Sequence, residues 1–198
     1  MARKYELKQR AAQAADTRRR IVETVVGMHL TVGPAATTIS EVARRVGVQR
    51  QTVYNHFPEE HELFAACSAH WRALHPAPDP AAWTDLRVGL GELYAWYRET
   101  EPMTANVLRD AEILPSLRAV MEPGLGAYMD AVHDVLAQKT GRGARVEAAI
   151  RLVTDFHSWR SLAPLGDAEA VELSAGLVEL AAARRSRSRG TRARPARS

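Results

Sequence analysis

A single cysteine, Cys67, stands in this chain of 198 residues, so no disulfide can close within one copy and no multi-cysteine zinc site can form. That shortage fits a reducing compartment, and the expected location is the cytoplasm. Long hydrophobic runs are missing too. The longest, residues 63–67 and 93–97, hold five residues each, far from the roughly 18 that a membrane span needs. Residues 1–20 lack the apolar stretch of about seven residues that a signal peptide carries, so neither export nor a membrane partner is expected. Sustained two-residue alternation is absent, as is any internal repeat, which argues against strands and solenoids. There is no H-E-x-x-H pattern, no glycine-rich phosphate loop and no nucleophile with an evident base, and the chain is read as a non-enzyme without a resident cofactor. No two of the seven histidines stand three or four residues apart. Asp130 and His133 could share a helix face but lack further ligands, so no metal site is expected.

What is present is a hydrophobic fraction of 46%, enough for a sizeable core in one or two domains, and a strong segregation of charge. Residues 1–57 carry +6, residues 58–183 carry −9, and residues 184–198 carry +7 from seven arginines. A basic front, an acidic body and a basic tail suggest that one part meets a polyanion while the body does something else.

The apolar spacing is helical throughout, and an all-α fold is predicted. Residues 1–15 read as a basic flexible arm with Arg3, Lys4, Lys8 and Arg10. Asp16 is a plausible N-cap for a first helix whose stripe is Ile21, Val22, Val25, Val26, Met28 and Leu30, ended by Gly33-Pro34. Thr38-Ile39-Ser40-Glu41 has the form of a capping box, which starts a short helix over about 39–46. Gly47 permits a sharp turn, and a third helix is predicted over 49–57. A fourth carries Leu63, Phe64, Cys67, Trp71 and Leu74 until His75-Pro76-Ala77-Pro78-Asp79-Pro80 interrupts it. A first domain over residues 16–75 and a second over 81–183 follow. In the second domain one helix starts near Leu86, and a separate one over 104–114 is bounded by Pro102 and Pro115. Another over 117–138 should kink or break at Pro123, Gly124 and Gly126. Two final helices are predicted over 146–162 and 168–183. Residues 184–198 have little to bury and read as a disordered arginine-rich tail.

Two short helices joined through Gly47 and Val48 make a helix-turn-helix. Ala43 is small where they cross, and Ile39, Val42, Val46, Val53 and Phe57 can close a core against the first helix. Such a unit presents the amino half of its second helix to a DNA major groove. Arg50, Gln51 and Thr52 would then approach base edges, since Arg suits guanine, Gln suits adenine and the Thr methyl can meet thymine. Tyr54, Asn55, His56 and Thr38 are placed for phosphates. The alternative class is a helical interaction or scaffold protein, which would show no salt-sensitive DNA binding.

Residues 20–64 resemble the DNA-binding domain of the TetR (tetracycline repressor) family. Thr38-Ile39-Ser40-Glu41-Val42-Ala43, Gly47-Val48 and Thr52-Val53-Tyr54-Asn55-His56-Phe57 carry the likeness, with Glu62-Leu63-Phe64 beyond them. The resemblance implies an N-terminal helix-turn-helix domain followed by a larger helical domain that binds a small effector and dimerises through its last two long helices. It further implies a homodimeric repressor, released from a palindromic double-stranded DNA operator by an effector of unknown identity. Two positions depart from the family pattern. Gln49 stands where Ser is usual, which changes the cap of the recognition helix. Glu60 replaces the usual Lys that would approach a phosphate, so more of the affinity would fall to the basic arm with Arg18, Arg19, Arg20 and Arg44.

With the resemblance in hand, an effector pocket is expected among the large side chains of the second domain: Trp96, Met103, Met129, Phe156, His157 and Trp159, with Asn106, Asp155 or His157 as polar anchors. No basic cluster stands near them, which favours a flat aromatic or cationic compound over a strongly anionic one. The stripes Val146, Ile150, Val153 and Leu173, Leu177, Leu180 are the expected dimer face.

Overall fold

The computed structural model describes the backbone of residues 2–190 and the side chains of residues 5–183. Among the described residues there are nine α-helices and no strand: α1 (Ala2–Thr31), α2 (Ile39–Val46), α3 (Arg50–His56), α4 (Glu60–Leu74), α5 (Leu86–Ala111), α6 (Pro115–Thr140), α7 (Ala144–Thr154), α8 (Phe156–Leu162) and α9 (Asp167–Gly190). The all-α prediction holds, and among the described residues no helix is long and apolar enough to cross a membrane.

Several boundaries differ from the sequence expectation for identifiable reasons. The flexible arm is instead part of α1, which begins at Ala2. Residues 1–26 contain no glycine or proline and are rich in Ala, Arg, Lys and Gln, the strongest helix formers. Asp16 therefore lies inside the helix and pairs with Arg19 one turn on. Pro102 lies within α5 and Pro123 within α6. Their ring and missing N–H affect only the preceding turn, and buried residues on both sides of each proline hold the helix together. The expected helix over 146–162 is split at Asp155, whose extended backbone ends α7 while its carboxylate accepts from the Ser158 amide to cap α8. Helix α9 runs to Gly190 where coil was expected from 184, because arginine favours helix and no proline occurs between Pro164 and Pro195. The remainder of the tail, residues 191–198, lies outside the described residues.

The chain divides into two compact units, Met1–Pro76 with Thr100–Leu125, and Ala77–Glu99 with Gly126–Ser198. The junction after Pro76 falls within the proline-rich stretch, but residues 100–125, expected in the second domain, fold with the first. The cause is burial: Met103 joins the core built by Ile21, Val25, Met28, Val42, Val46, Val53, Phe57 and Leu63, while Ala111 and Leu117 cluster with Phe64. Cys67 is buried in the same core.

Within this first unit, α1 packs on α2 and α4, and α2 on α3. The carboxyl end of α1 is held by polar groups of α5. Asn106 Nδ2 donates to the carbonyls of His29 (2.8 Å) and Leu30 (3.2 Å). Asp110, 2% exposed, accepts from the Ala35 amide (2.8 Å) and from Arg109 Nε (2.7 Å). Gly33 sits there with φ +90°, and a Cβ at that position would run into the Arg109 and Asp110 side chains. The His29 ring, 4% exposed, lies against Phe64, and burial pushes its pKa down to about 4 despite the neighbouring Asp110.

In the second unit the Tyr94 hydroxyl donates to the Val153 carbonyl (2.7 Å) and shares a hydrogen bond with Ser174 (2.8 Å), fastening α5 to α7 and α9. Arg87 bridges Glu172 and Glu179 on the outside of α9. The inner face of α9 buries Ala170, Val171, Ser174, Ala175 and Val178.

Candidate DNA interface

Helix α2 starts at Thr38, whose extended backbone and Oγ1, accepting from the Glu41 amide at 3.3 Å, form the N-cap. Only half of the expected capping box forms. The Glu41 carboxylate turns outward and takes a forked pair from Arg44 (2.8 and 2.6 Å) and a bond from Arg45 (2.7 Å). These guanidiniums, Arg44 first, hold the Glu41 pKa down to about 2. Gly47, at φ +77°, sends its amide back to the Ala43 carbonyl and turns the chain; a side chain at that φ would be strained. Helix α3 follows with Gln49 at its N-cap, where no side-chain capping bond forms.

One face of α3 is consumed by the core, since Val53 and Phe57 are buried, and the other is open. On the open face Gln51 Nε2 donates to Asn55 Oδ1 at 3.0 Å, which fixes the Gln51 amide and leaves its oxygen and second N–H outward, the pair that adenine requires. Arg50 Nη1 donates to Ser40 Oγ at 3.3 Å, so α2 helps to orient the first residue of α3. Ser40 had no signal of its own in the sequence. Ser40, Arg44, Gln49, Arg50 and Tyr54 line a concavity of about 580 Å³ between the two helices. Tyr54 is 46% exposed. Thr52 and His56 are half-buried, while Asn55 and Thr38 are exposed. Thr38 spends only a lone pair on its cap, so its hydroxyl proton remains for an acceptor. The eight expected DNA residues thus all lie on α2, α3 or the α2 cap, with Thr52 and His56 least accessible.

The arginines proposed to compensate for Glu60 have other partners. Arg18 donates to the His56 carbonyl (2.5 Å) and lies 4.0 Å over the Phe57 ring. Arg20 donates to the Val46 carbonyl (2.6 Å). The two cap the ends of α3 and α2, where cations complement the helix dipole. Arg19 pairs with Asp16 and Glu23, and Arg44 with Glu41. Glu60 itself accepts a hydrogen bond from the Ser116 hydroxyl of α6.

The expected effector residues separate into two groups. Met103 and Asn106 belong to the first unit, one as core and the other as the cap of α1. Trp96, Met129, Phe156 and Trp159 belong to the second unit around Tyr97, whose ring lies 5.6 Å from that of Trp96, 5.4 Å from Phe156 and 5.5 Å from Trp159. The Tyr97 hydroxyl also approaches the Met129 sulfur. His157 points to solvent at the start of α8, and Asp155 is taken up by its capping bond. Three or more histidine, cysteine or acidic side chains positioned to hold a metal do not occur among the described residues.

Residues 21–67 match the model of the bacterial regulatory proteins of the tetR family. No curated protein matches the sequence significantly. Among solved structures, the chain is similar to a TetR family transcription regulator from Marinobacter aquaeolei VT8, with a TM-score of 0.52 and 17% identity over 87% of this chain and 97% of that one. It is also similar to the multidrug binding protein EbrR, solved in complex with imidazole, with a TM-score of 0.51 and 21% identity over 81% of this chain and 93% of the other. Residues 21–67 are therefore similar to the tetR family of bacterial regulatory proteins, and the chain shares the fold of a solved TetR family transcription regulator.

Proposed function

We propose that this protein is a homodimeric transcriptional repressor that holds a palindromic operator through α3 of each copy and releases it when a small organic effector occupies the second unit. The observation that carries the reading is the two-faced α3, with Val53 buried beneath it and Arg50, Gln51, Tyr54 and Asn55 exposed above. Two such helices related by a dyad read half-sites one helical turn apart. An effector acts by favouring a dimer state whose helices no longer match that spacing. The aromatic cluster around Tyr97 supports an organic ligand, and the bound imidazole of EbrR is a precedent on the same fold. Dimerisation is supported by the outer stripe of α9, where Leu173, Leu177 and Leu180 are 55%, 41% and 56% exposed. The stripe Val146, Ile150 and Val153, expected on the dimer face, is buried within the protomer. Helical periodicity identifies an apolar face without saying whether its own core or a partner covers it.

The test is to recover the genomic fragments that the purified protein retains and to measure variants on them. Gln51→Ala and Arg50→Ala are expected to relax the preference for operator over random duplex, each by about 1–3 kcal/mol of base discrimination. Tyr54→Phe is expected to weaken both duplexes equally. Unchanged preference in both Arg50→Ala and Gln51→Ala would overturn the assignment of α3 as the reading element. Retention that does not fall with salt would overturn DNA binding through phosphates.

A further inference from the structure

Three side chains of the second unit bury a polar atom that meets no hydrogen-bond partner among the described residues: Tyr128 Oη, His133 Nδ1 and Trp159 Nε1. Buried polar atoms are seldom left this way, because each then carries its full desolvation cost. They are also linked through one residue, Trp159 directly and the other two by way of one neighbour each. The Tyr97 ring touches that of Trp159, and it touches Trp96, whose ring lies 5.9 Å from Tyr128. The Tyr97 hydroxyl donates to the Thr154 carbonyl (2.7 Å), and Thr154 Oγ1 lies 3.0 Å from His133 Nε2.

The role of each atom can be derived. The Thr154 hydroxyl spends its proton on the Ile150 carbonyl at 2.8 Å, so toward His133 it can only accept. His133 Nε2 therefore carries the hydrogen, and Nδ1 of the neutral ring is an acceptor. Burial, with Arg151 nearby, lowers the pKa of this ring and keeps it neutral. Trp159 Nε1–H can only donate. Tyr128 can do either, and burial keeps it protonated.

Resting on the reading of the second unit as an effector site, we infer that Trp159, His133 and Tyr128 anchor an uncharged flat aromatic ligand bearing a hydroxyl group. A hydroxyl both donates to His133 Nδ1 and accepts from Trp159 Nε1–H, while the rings of Trp96, Tyr97 and Phe156 take its plane. A permanent cation without N–H or O–H can satisfy neither atom, so the anchors select against it even though the aromatic rings would suit it.

Calorimetric titration of the full chain with 2-naphthol, 2-methoxynaphthalene and 1-methylquinolinium tests this. The methoxy compound keeps the acceptor and loses the donor, and the quinolinium loses both. 2-Naphthol is expected to bind about three- to tenfold more tightly than either. Trp159→Phe and Tyr128→Phe are each expected to weaken 2-naphthol by a similar factor, and His133→Phe to abolish its advantage over the methoxy compound. Without ligand, Trp159→Phe and Tyr128→Phe should melt no lower than the parent, because neither removes a bond that the folded protein makes; a merely structural role would lower the melting temperature and leave binding unchanged. Equal binding of the three probes, or binding indifferent to all three substitutions, overturns the anchors while leaving an effector site in the second unit. Failure of every probe to bind overturns the hydroxyaromatic class, and the effector reading is then decided by whether other small molecules release retained genomic fragments.

Discussion

Leu177→Asp is expected to turn the protein into a monomer whose operator affinity is lower by two to four orders of magnitude. Leu177 lies on the outer stripe of α9 with Leu173 and Leu180, while the opposite face of that helix packs inside its own protomer. A carboxylate there stays in water in the isolated chain, so the fold survives. In a dimer it would be sealed without a partner charge, at a cost of several kcal/mol. Loss of the partner removes the effective concentration that brings the second recognition helix to its half-site, and this sets the size of the effect. Sedimentation velocity reads the assembly, and fluorescence anisotropy on a retained fragment reads the affinity. A variant that stays dimeric would place the interface elsewhere, and a parent that sediments as a monomer would end the dimer reading.

Acidification from pH 7 to pH 4 is expected to remove about 3 kcal/mol from the stability of the first unit through one residue, His29. Its pKa is about 4 in the folded chain against an ordinary 6.5, so between those values the unfolded chain binds a proton that the folded one does not. Stability must then rise with pH across that window, and it is lost as pH falls. The loss is about 2 kcal/mol by pH 5 and about 3 kcal/mol by pH 4. Below that, Asp110 adds to it: burial pushes its carboxyl up, but the Arg109 guanidinium and the Ala35 amide prevail and hold it below the ordinary range. Its contribution is present above the ordinary carboxylate pKa and disappears as the folded value is crossed. Urea unfolding at pH 7 and pH 5 measures the change, and His29→Leu should flatten it. A parent whose midpoint is the same at both values would show that His29 takes up its proton without opening the core.

The helix-turn-helix was legible because several local signals agree on it. Thr38 caps, Gly47 turns, and Val42, Val46, Val53 and Phe57 recur at the spacing that buries them. Its boundaries came out within a residue of the structure for the same reason. The interruptions were harder to place. Pro102 and Pro123 suggested breaks that long buried faces override, whereas the real break at Asp155 contains neither glycine nor proline and depends on a capping bond that sequence spacing does not single out. The arginines were misassigned for a different reason. A count of positive charge is the same whether Arg18 and Arg20 face a phosphate or a helix carboxyl end, and only geometry shows that they face the latter. Asn106 illustrates the limit most plainly: an amide among large apolar residues suggested a ligand anchor, and it is occupied with the end of α1. Tyr128 gave no warning, and His133 drew notice only as half of an incomplete ligand pair with Asp130, because an unmet hydrogen bond is a property of surroundings rather than of sequence.

The one thiol of the chain lies inside the helix-turn-helix unit at 4% exposure, and burial pushes its pKa up to about 12. In the folded protein Cys67 is thus neither ionised nor reachable, and oxidants have no thiolate to attack. Alkylation must wait for the first unit to open. Its rate is a built-in clock for that opening, since no other residue of the chain can contribute to the signal and no label need be introduced. When opening and closing are fast, the clock reads the local free energy directly. If α3 holds an operator as proposed, bound DNA would slow it according to the stabilisation that binding adds, and occupancy could then be followed from the interior of the protein rather than from its surface.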